Sequence, residues 1–420
     1  MNDRIRTAES CQDSSDSSLS MTDALATIRK KIVPISGSQS VALRDALGRV
    51  LANPVASPMN VPAHRNSAMD GYAMRGEELP TRDRCELQVI GTAFAGKPCN
   101  RPLGPGQCVR IMTGAKMPDA ADTVIMQEQV ERSGDIISID AHNRPGQNVR
   151  QAGEDIPAGG VVLHAGQLLN PPRLGLLASL GIAELRVRRR PRVAFFSSGD
   201  EIKSIGERLE EGQIYDSNRY TLHGMLTNLG VDLVDLGVIP DREDCIFVAL
   251  QEASKEVDLI LTSGGVSVGE ADHVVAALRR LGTIHFSKVA IKPGRPLTFG
   301  QIDRTPFFGL PGNPVAVMTT FLQFTRPAIL QMRGASDLSL PQFELPCRSR
   351  LRKSPGRTEF QRGIMTQEPE GKWVVHSSGR QGSGVLSSMS EGNCFIVLPE
   401  ERGSVEPGDN VSVQPFALFD

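Results

Sequence analysis

Residues 192–199, RVAFFSSG, open a series that continues with DSNRYTLHGMLTNLG (216–230), VDLVDLGVI (231–239), EDCIFVALQEASKE (243–256) and VDLILTSGG (257–265). The first, third and fifth pieces are short apolar runs ending in turns, the pattern of buried strands, while the second and fourth carry helical spacing. A further helix is expected from Ala271 to Leu281. Strand and helix alternating at this interval require βαβ crossovers. The segment 188–340 is therefore expected to be a doubly wound α/β domain on a parallel sheet, with its ligand at the carboxyl ends of the strands.

Working outward, the alternation stops after Pro341. QFELPCRSR (342–350), EFQRGIM (359–365), WVVHS (373–377), NCFIVL (393–398) and VSVQPF (411–416) are short strands without intervening helices. They predict a C-terminal β-barrel over 341–420. Upstream, CELQVIGTA, QCVRIM, ADTVIMQ and DIISI lie between glycines and prolines and predict a β-rich domain over 57–157. Helical spacing from Met21 puts Ala24, Leu25, Ile28 and Ile32 on one face, and a second short helix is expected over Ser40–Leu51. These N-terminal helices and the strand and helix of 158–187 are expected to join as a linking domain, 21–56 with 158–187. Residues 1–20, polar and serine-rich, read as a disordered tail. The run Arg188, Arg189, Arg190 and Arg192 is either an anion patch or a solvated edge.

With 420 residues the chain is long enough for several cores, and its 41 glycines and 28 prolines argue against an all-helical bundle. Lys plus Arg number 46 and Asp plus Glu 48, so no global cationic field favours nucleic acid. Seven scattered cysteines lack zinc-knuckle or disulfide-ladder spacing, and no apolar run is long enough for a secretion signal or a membrane span. A soluble cytoplasmic protein is expected.

The loop Ser263–Asp272, SGGVSVGEAD, follows an apolar strand and opens a helix. Gly264, Gly265 and Gly269 allow backbone N–H groups to approach an anion beside Ser263 and Ser267, although many α/β proteins have such loops. Glu270 and Asp272 are either ligands or helix caps. Downstream, Lys288, Lys292 and Arg295 in SKVAIKPGRP would present cations to one anion, each charge-assisted bond contributing roughly 1.5–3 kcal/mol. Surface lysines are the plain alternative. Pro311, Gly312 and Asn313 form a turn before an apolar helix, and Pro314 suits a helix start. Ser197, Ser198, Gly199, Asp200 and Glu201 occupy the first βα turn. Asp216, Ser217 and Asn218 read as a helix N-terminus. The β-rich domain contributes Asp70 in NSAMDGYA, Thr113 and Lys116 in MTGAKMP, and Glu154 and Asp155 in AGEDI, turns that need no function of their own.

In order, NSAMDGYA, RIMTGA, GEDI, SSGDEI, GQIYDSNR, SGGVSVGEAD, KVAIKPGRP, GLPGNPVA, EFQRG and EGNCFIVL span residues 66–397. The series closely resembles the molybdopterin molybdenumtransferase family, MoeA in bacteria and the gephyrin E domain in animals. The resemblance implies an elongated four-part subunit that dimerises through its linking domain. The reaction it implies is insertion of molybdate into adenylylated molybdopterin, with Mg2+ and release of AMP. Matching the family's functional positions implies catalytic roles for Asp70, Thr113, Asp155, Glu201, Asp241 and Asp272, with Glu201 and Asp272 as metal ligands. It implies substrate contacts for Ser263, Gly264, Gly265, Ser267, Lys288, Lys292, Arg295, Pro311, Gly312, Asn313, Arg362 and Ser383. Arg295 departs from the Lys of many relatives, so a planar fork replaces a point charge. The implied partners are the small-molecule substrates, a second copy of the chain, and possible contacts with the adenylyltransferase and acceptor molybdoenzymes; neither nucleic acid nor membrane is expected.

Two dianions 4 Å apart at an effective dielectric of 20 repel by on the order of 16 kcal/mol, so cations must lie between molybdate and the phosphoanhydride. The acids thus suit metal holding better than proton donation. Rival readings are the pathway's adenylyltransferase, a gephyrin-like scaffold and a nucleotide-binding regulator. The first is disfavoured by Gly264-Gly265-Val266-Ser267 where its loop reads Gly-Gly-Thr-Gly. The second is disfavoured by retention of the acids and lysines, and the third by the lack of an added sensor region.

Overall fold

The structure, a computed structural model, describes residues 18–265 and 273–416. Its central domain is built on six strands in the order Asp232–Ile239, Arg192–Ser198, Leu259–Ser263, Thr305–Leu310, Pro296–Ile302, Gly282–Lys288. The first four are parallel; helices carry the chain from Arg192–Ser198 to Asp232–Ile239 and on to Leu259–Ser263, as the alternation predicted, whereas Thr305–Leu310 is reached only after a further helix and the other two strands. The expectation of a wholly parallel sheet is corrected at Pro296–Ile302, which is antiparallel to both neighbours. The cause is local: only Asp303 and Arg304 separate the paired residues Ile302 and Thr305, with Asp303 at φ 50°, and a two-residue link can only make a hairpin.

The apolar strands fill both faces of the sheet. Phe195, Leu261 and Phe308 pack on one side with the helices Ser217–Asn228 and Pro314–Met332, while Phe196, Ile260 and Phe307 pack on the other with Glu243–Glu256 and His273–Leu281. The 314–332 helical run is interrupted by a π-turn at Phe321–Thr325, immediately before Pro327. Proline has no N–H and its ring crowds the preceding turn, so one wide turn absorbs the misfit.

The helix Met21–Lys31 forms as its spacing predicts, capped by Ser20, whose Oγ accepts from Asp23 N at 3.1 Å. Its partner differs from expectation. Ala24, Ile28 and Ile32 are buried against the central core, in one cluster with Phe324 and Ile329, and not against 158–187. A helix's apolar stripe identifies what must be buried and leaves the burying surface open. Leu19 also bridges to Val289, its N–H donating to the Lys288 carbonyl and its carbonyl accepting from Ala290 N. The expected tail therefore does not include residues 18–20; residues 1–17 lie outside the described residues.

The second helix expected over Ser40–Leu51 is a strand, Ser38–Ala42, followed by a single 3-10 turn, Leu43–Asp45. Antiparallel pairing with Glu184–Arg188 sets Val41 opposite Leu185 and Gln39 opposite Val187, and tertiary pairing overrides a weak helical pattern. Ala46, Leu51, Leu163, Leu177, Leu185 and Val187 close a small core there. The β-rich segment forms a six-stranded sheet with Cys85–Ala93 and Gln107–Ile111 parallel at its centre. After Pro341 the strands Phe343–Pro346, Thr358–Gln367, Trp373–Ser377, Cys394–Leu398 and Asn410–Pro415 pair antiparallel, and a bridge from Cys347 to Val375 brings the two outer strands together. Among the described residues no helix is long and apolar enough to cross a membrane, and the six described cysteines are free thiols.

Two arginines of the run, Arg189 and Arg192, are paired with acids. Arg189 donates to both Asp258 oxygens at 2.6 and 2.7 Å, Arg192 N donates to Asp258 Oδ2, and the Arg192 guanidinium lies 3.5 Å from Glu256. Half-burial would raise the Asp258 pKa, but the bonds from Arg189 and Arg192 outweigh it and hold the carboxyl below its ordinary 3.8. A depressed folded-state value stabilises above the unfolded pKa and is lost as pH falls through the folded one. Asp258→Asn is expected to cost about 1 kcal/mol at pH 7, and parent and variant denaturation midpoints should converge below the folded-state pKa.

Candidate active site

At the carboxyl ends of the Arg192–Ser198, Leu259–Ser263 and Thr305–Leu310 strands lies a cleft of about 1,050 Å³. That is where a doubly wound sheet leaves room, because neighbouring crossovers diverge there. Its floor is glycine: Gly264 has φ 87°, and a Cβ there would come within 2.5 Å of the Ser198 carbonyl oxygen. Only glycine lets these two loops approach so closely.

Asn218 ties the floor together. Its Nδ2 donates to Ser263 Oγ at 2.8 Å and to the Gly312 carbonyl at 2.7 Å, linking three separate loops from a nearly buried position. Its Oδ1 is buried without a hydrogen-bond partner. Asp216 is the helix cap that its sequence suggested, accepting from Arg219 N at 3.0 Å. Asn218 is a functional candidate that the N-terminal reading passed over. Its signal was an amide, a side chain with two donors and an acceptor, one turn from a glycine loop.

On one wall stand Glu201 and Asp241. The Glu201 carboxylate lies over Gly199, where a Cβ would meet its Oε2 at 2.6 Å, and Asp241 Oδ1 accepts from Ser198 Oγ at 2.9 Å. The turn Lys292–Arg295 lines the same cleft and presents two exposed cations, Lys292 and Arg295, with Arg295 Nε also donating to Ser18 Oγ at 3.2 Å. Pro311, Gly312 and Asn313 complete the floor. The C-terminal domain reaches in with Ser383, whose carbonyl accepts from Val315 N at 3.1 Å, satisfying one orphan donor of the 314–332 helix.

Not every expected residue is here. Lys288 does not border the cleft, because the Gly282–Lys288 strand is the sheet edge, two strands beyond Thr305–Leu310. Arg362 is 1 % exposed and acts from behind. Its guanidinium donates to Ser388 Oγ and to the Arg380 and Gly382 carbonyls, fixing the loop that carries Ser383, and burial pushes its pKa down to about 10. Ser267 and Asp272 lie outside the described residues. Among the described residues no group of three or more His, Cys, Asp or Glu side chains gathers as a metal site.

Asp70, Thr113 and Asp155 belong to other parts of the chain and do not border this cleft. Asp70 Oδ1 accepts from Thr113 N and Thr113 Oγ1, both at 2.7 Å, and these two bonds, backbone first, hold its pKa below the ordinary value. Asp155 sits on an exposed turn beside the Val61–Ile156 bridge. Replacing Thr113 by Val removes the hydroxyl bond, so the Asp70 titration followed by carboxyl NMR is expected to move up toward 3.8.

Three family models match in succession: "MoeA N-terminal region (domain I and II)" over residues 19–181, "Probable molybdopterin binding domain" over 195–331 and "MoeA C-terminal region (domain IV)" over 344–416. The molybdopterin molybdenumtransferase of Haemophilus influenzae is 44 % identical over 89 % of this chain and 93 % of its own length. That of a Nostoc species is 35 % identical over 92 % of each chain. Among solved structures, the molybdopterin biosynthesis MoeA protein of Pyrococcus horikoshii superposes with a TM-score of 0.83 at 30 % identity, covering 95 % of this chain and all of that one.

Proposed function

The chain belongs to the MoeA family of molybdopterin molybdenumtransferases, transferases of molybdenum cofactor biosynthesis, and from that premise we propose how its cleft performs the reaction. Molybdate is inserted into adenylylated molybdopterin, and water adds across the phosphoanhydride, so that the phosphate stays on molybdopterin and AMP leaves. One observation carries this reading: a glycine-floored cleft at the strand ends is lined by two cations, Lys292 and Arg295, and two carboxylates, Glu201 and Asp241.

Lys292 and Arg295 bind the phosphate, Lys292 as a point charge on a flexible stem and Arg295 through its planar fork. The N–H groups of the Gly264–Gly265 loop and the hydroxyl of Ser263 orient the remaining oxygens, and Asn218 keeps that loop in register with Gly312. Ser383 closes the cleft from the C-terminal domain. Ser198 holds Asp241 in one rotamer, so the acid faces the cleft without having to reorient.

The donor set suits Mg2+, which takes one or two carboxylates and completes its shell with water and substrate phosphate. Glu201 would hold it together with Asp272, the ligand pair the motifs implied. When bound, it supplies positive charge against the anhydride and molybdate. Because Asp70, Thr113 and Asp155 stand away from this cleft, they act on the cleft of a second copy, and the protein works as a homodimer. The outer strands joined at Cys347 and Val375 support a closed C-terminal barrel.

Purified protein given adenylylated molybdopterin, molybdate and MgCl2 is expected to release AMP, measured by chromatography, and to release little when either molybdate or magnesium is withheld. No molybdate-dependent AMP with all three present overturns the proposal.

A further inference from the structure

We propose that Glu359 competes with the ligand's phosphate for Lys292, and so sets how tightly the cleft holds AMP. The inference rests on the reading of the Lys292–Arg295 turn as the phosphate cradle.

The register fixes the pair. The C-terminal strand Thr358–Gln367 pairs in parallel with Ile291–Lys292, setting Thr358 against Ile291 and Glu359 against Lys292, and Thr358 N donates to the Ala290 carbonyl at 3.0 Å. Glu359 is 4 % exposed. A carboxylate so removed from water needs donors. It has an amide, Gln361 Nε2, at 3.2 Å from Oε2, and an ammonium, Lys292 Nζ, at 3.3 Å from Oε1. Lys353 approaches the same region but turns its three bonds to the carbonyls of Ser354, Glu400 and Arg402.

Lys292 is placed to serve two masters. Its side chain is half exposed and borders both the main cleft and a smaller cavity of about 240 Å³ behind it, which Glu359 lines. The ammonium is therefore the partition between a buried carboxylate and the ligand's phosphate. Its compact charge on a four-carbon stem can lean to either, whereas a guanidinium fork would have to commit. While Glu359 holds a share of that charge, phosphate receives less of it. AMP is then released more readily than from a cleft with an unshared lysine. A merely structural Glu359, present only to dock the C-terminal domain, makes the opposite prediction, since its loss would loosen the cleft and weaken AMP.

The test is AMP affinity by calorimetry on the full chain. Glu359→Gln keeps the shape and the bond to Gln361 but removes the charge, and is expected to tighten AMP about fivefold, an effect of the size expected for a half-exposed pair. In the Lys292→Ala background the same change is expected to do nothing. If Glu359→Gln does not fold, Glu359→Asp, which withdraws the carboxylate by one methylene, is expected to tighten AMP about twofold. Unchanged or weaker AMP binding in whichever variant folds overturns the counter-ion role. The phosphate-cradle reading fails separately, if Lys292→Ala binds AMP as tightly as the parent.

Discussion

Asp70→Asn protein is expected to lose about two orders of magnitude of molybdate-dependent AMP release while keeping its fold, and mixing it with Lys292→Ala protein is expected to restore activity. Asparagine retains an oxygen that can accept from Thr113 N and Oγ1, the two 2.7 Å bonds that shape this turn, so the β-rich sheet has no reason to move. What disappears is a charge that those same bonds favour, lowering the carboxyl's pKa. Yet Asp70 does not border the cleft that contains Lys292. If each site of a dimer takes Asp70 from one copy and Lys292 from the other, a mixed dimer carries one site with both lesions and one with neither. Random reassociation after co-refolding then restores about a quarter of parental activity. Sedimentation must show dimers in every sample. Dimeric mixtures that stay as inactive as either variant alone exclude a site shared between copies.

The parts of the fold that are legible in the sequence share one physical trait, in that their pattern is enforced by burial on two sides. RVAFFSS and LILTS carry unbroken apolar runs and are buried at nearly every position because helices cover both faces of the central sheet. The cleft residues that follow them, Ser198, Ser263 and Gly264, inherit that certainty from the strands. Where only one face is buried, the pattern names a stripe and not its partner. Met21–Lys31 was legible as a helix, but its docking on Phe324 and Ile329 was not. Ser38–Ala42 shows the weaker case, three exposed and two partly buried residues whose state is decided by Glu184–Arg188, nearly 150 positions away. Charge is equally mute about direction. Lys288 and Lys292 are four residues apart, and one ends an edge strand while the other opens the turn that faces the cleft. Arg362 reads as a cation for an anionic substrate, and folding spends its donors on two carbonyls and a serine hydroxyl.

Asn218 is the sharpest instance, and Asn218→Ala is the prediction that separates its two readings. As part of a helix N-terminus it is dispensable, because the cap bond is made by Asp216, whose Oδ1 receives Arg219 N, and alanine is a good helix former. On that reading the variant stays active and changes stability by a few tenths of a kcal/mol. As the tie between loops it cannot be spared. Removing Nδ2 leaves the buried Ser263 Oγ without that donor, a cost of about 1–3 kcal/mol, and frees the Ser263 loop from the Pro311–Asn313 turn. These two loops form the floor on which the phosphate would lie. A displacement of about 1 Å in positioning groups is enough to slow a reaction on the order of a hundredfold. The expected result is a loss of that size carried mainly by kcat, with Lys292 and Arg295 still holding substrate so that KM moves little. The measurement is steady-state AMP release beside thermal unfolding of the same preparations. Parental kcat, with or without a lower melting temperature, returns Asn218 to the helix N-terminus and leaves the alignment of the cleft floor to the glycines alone.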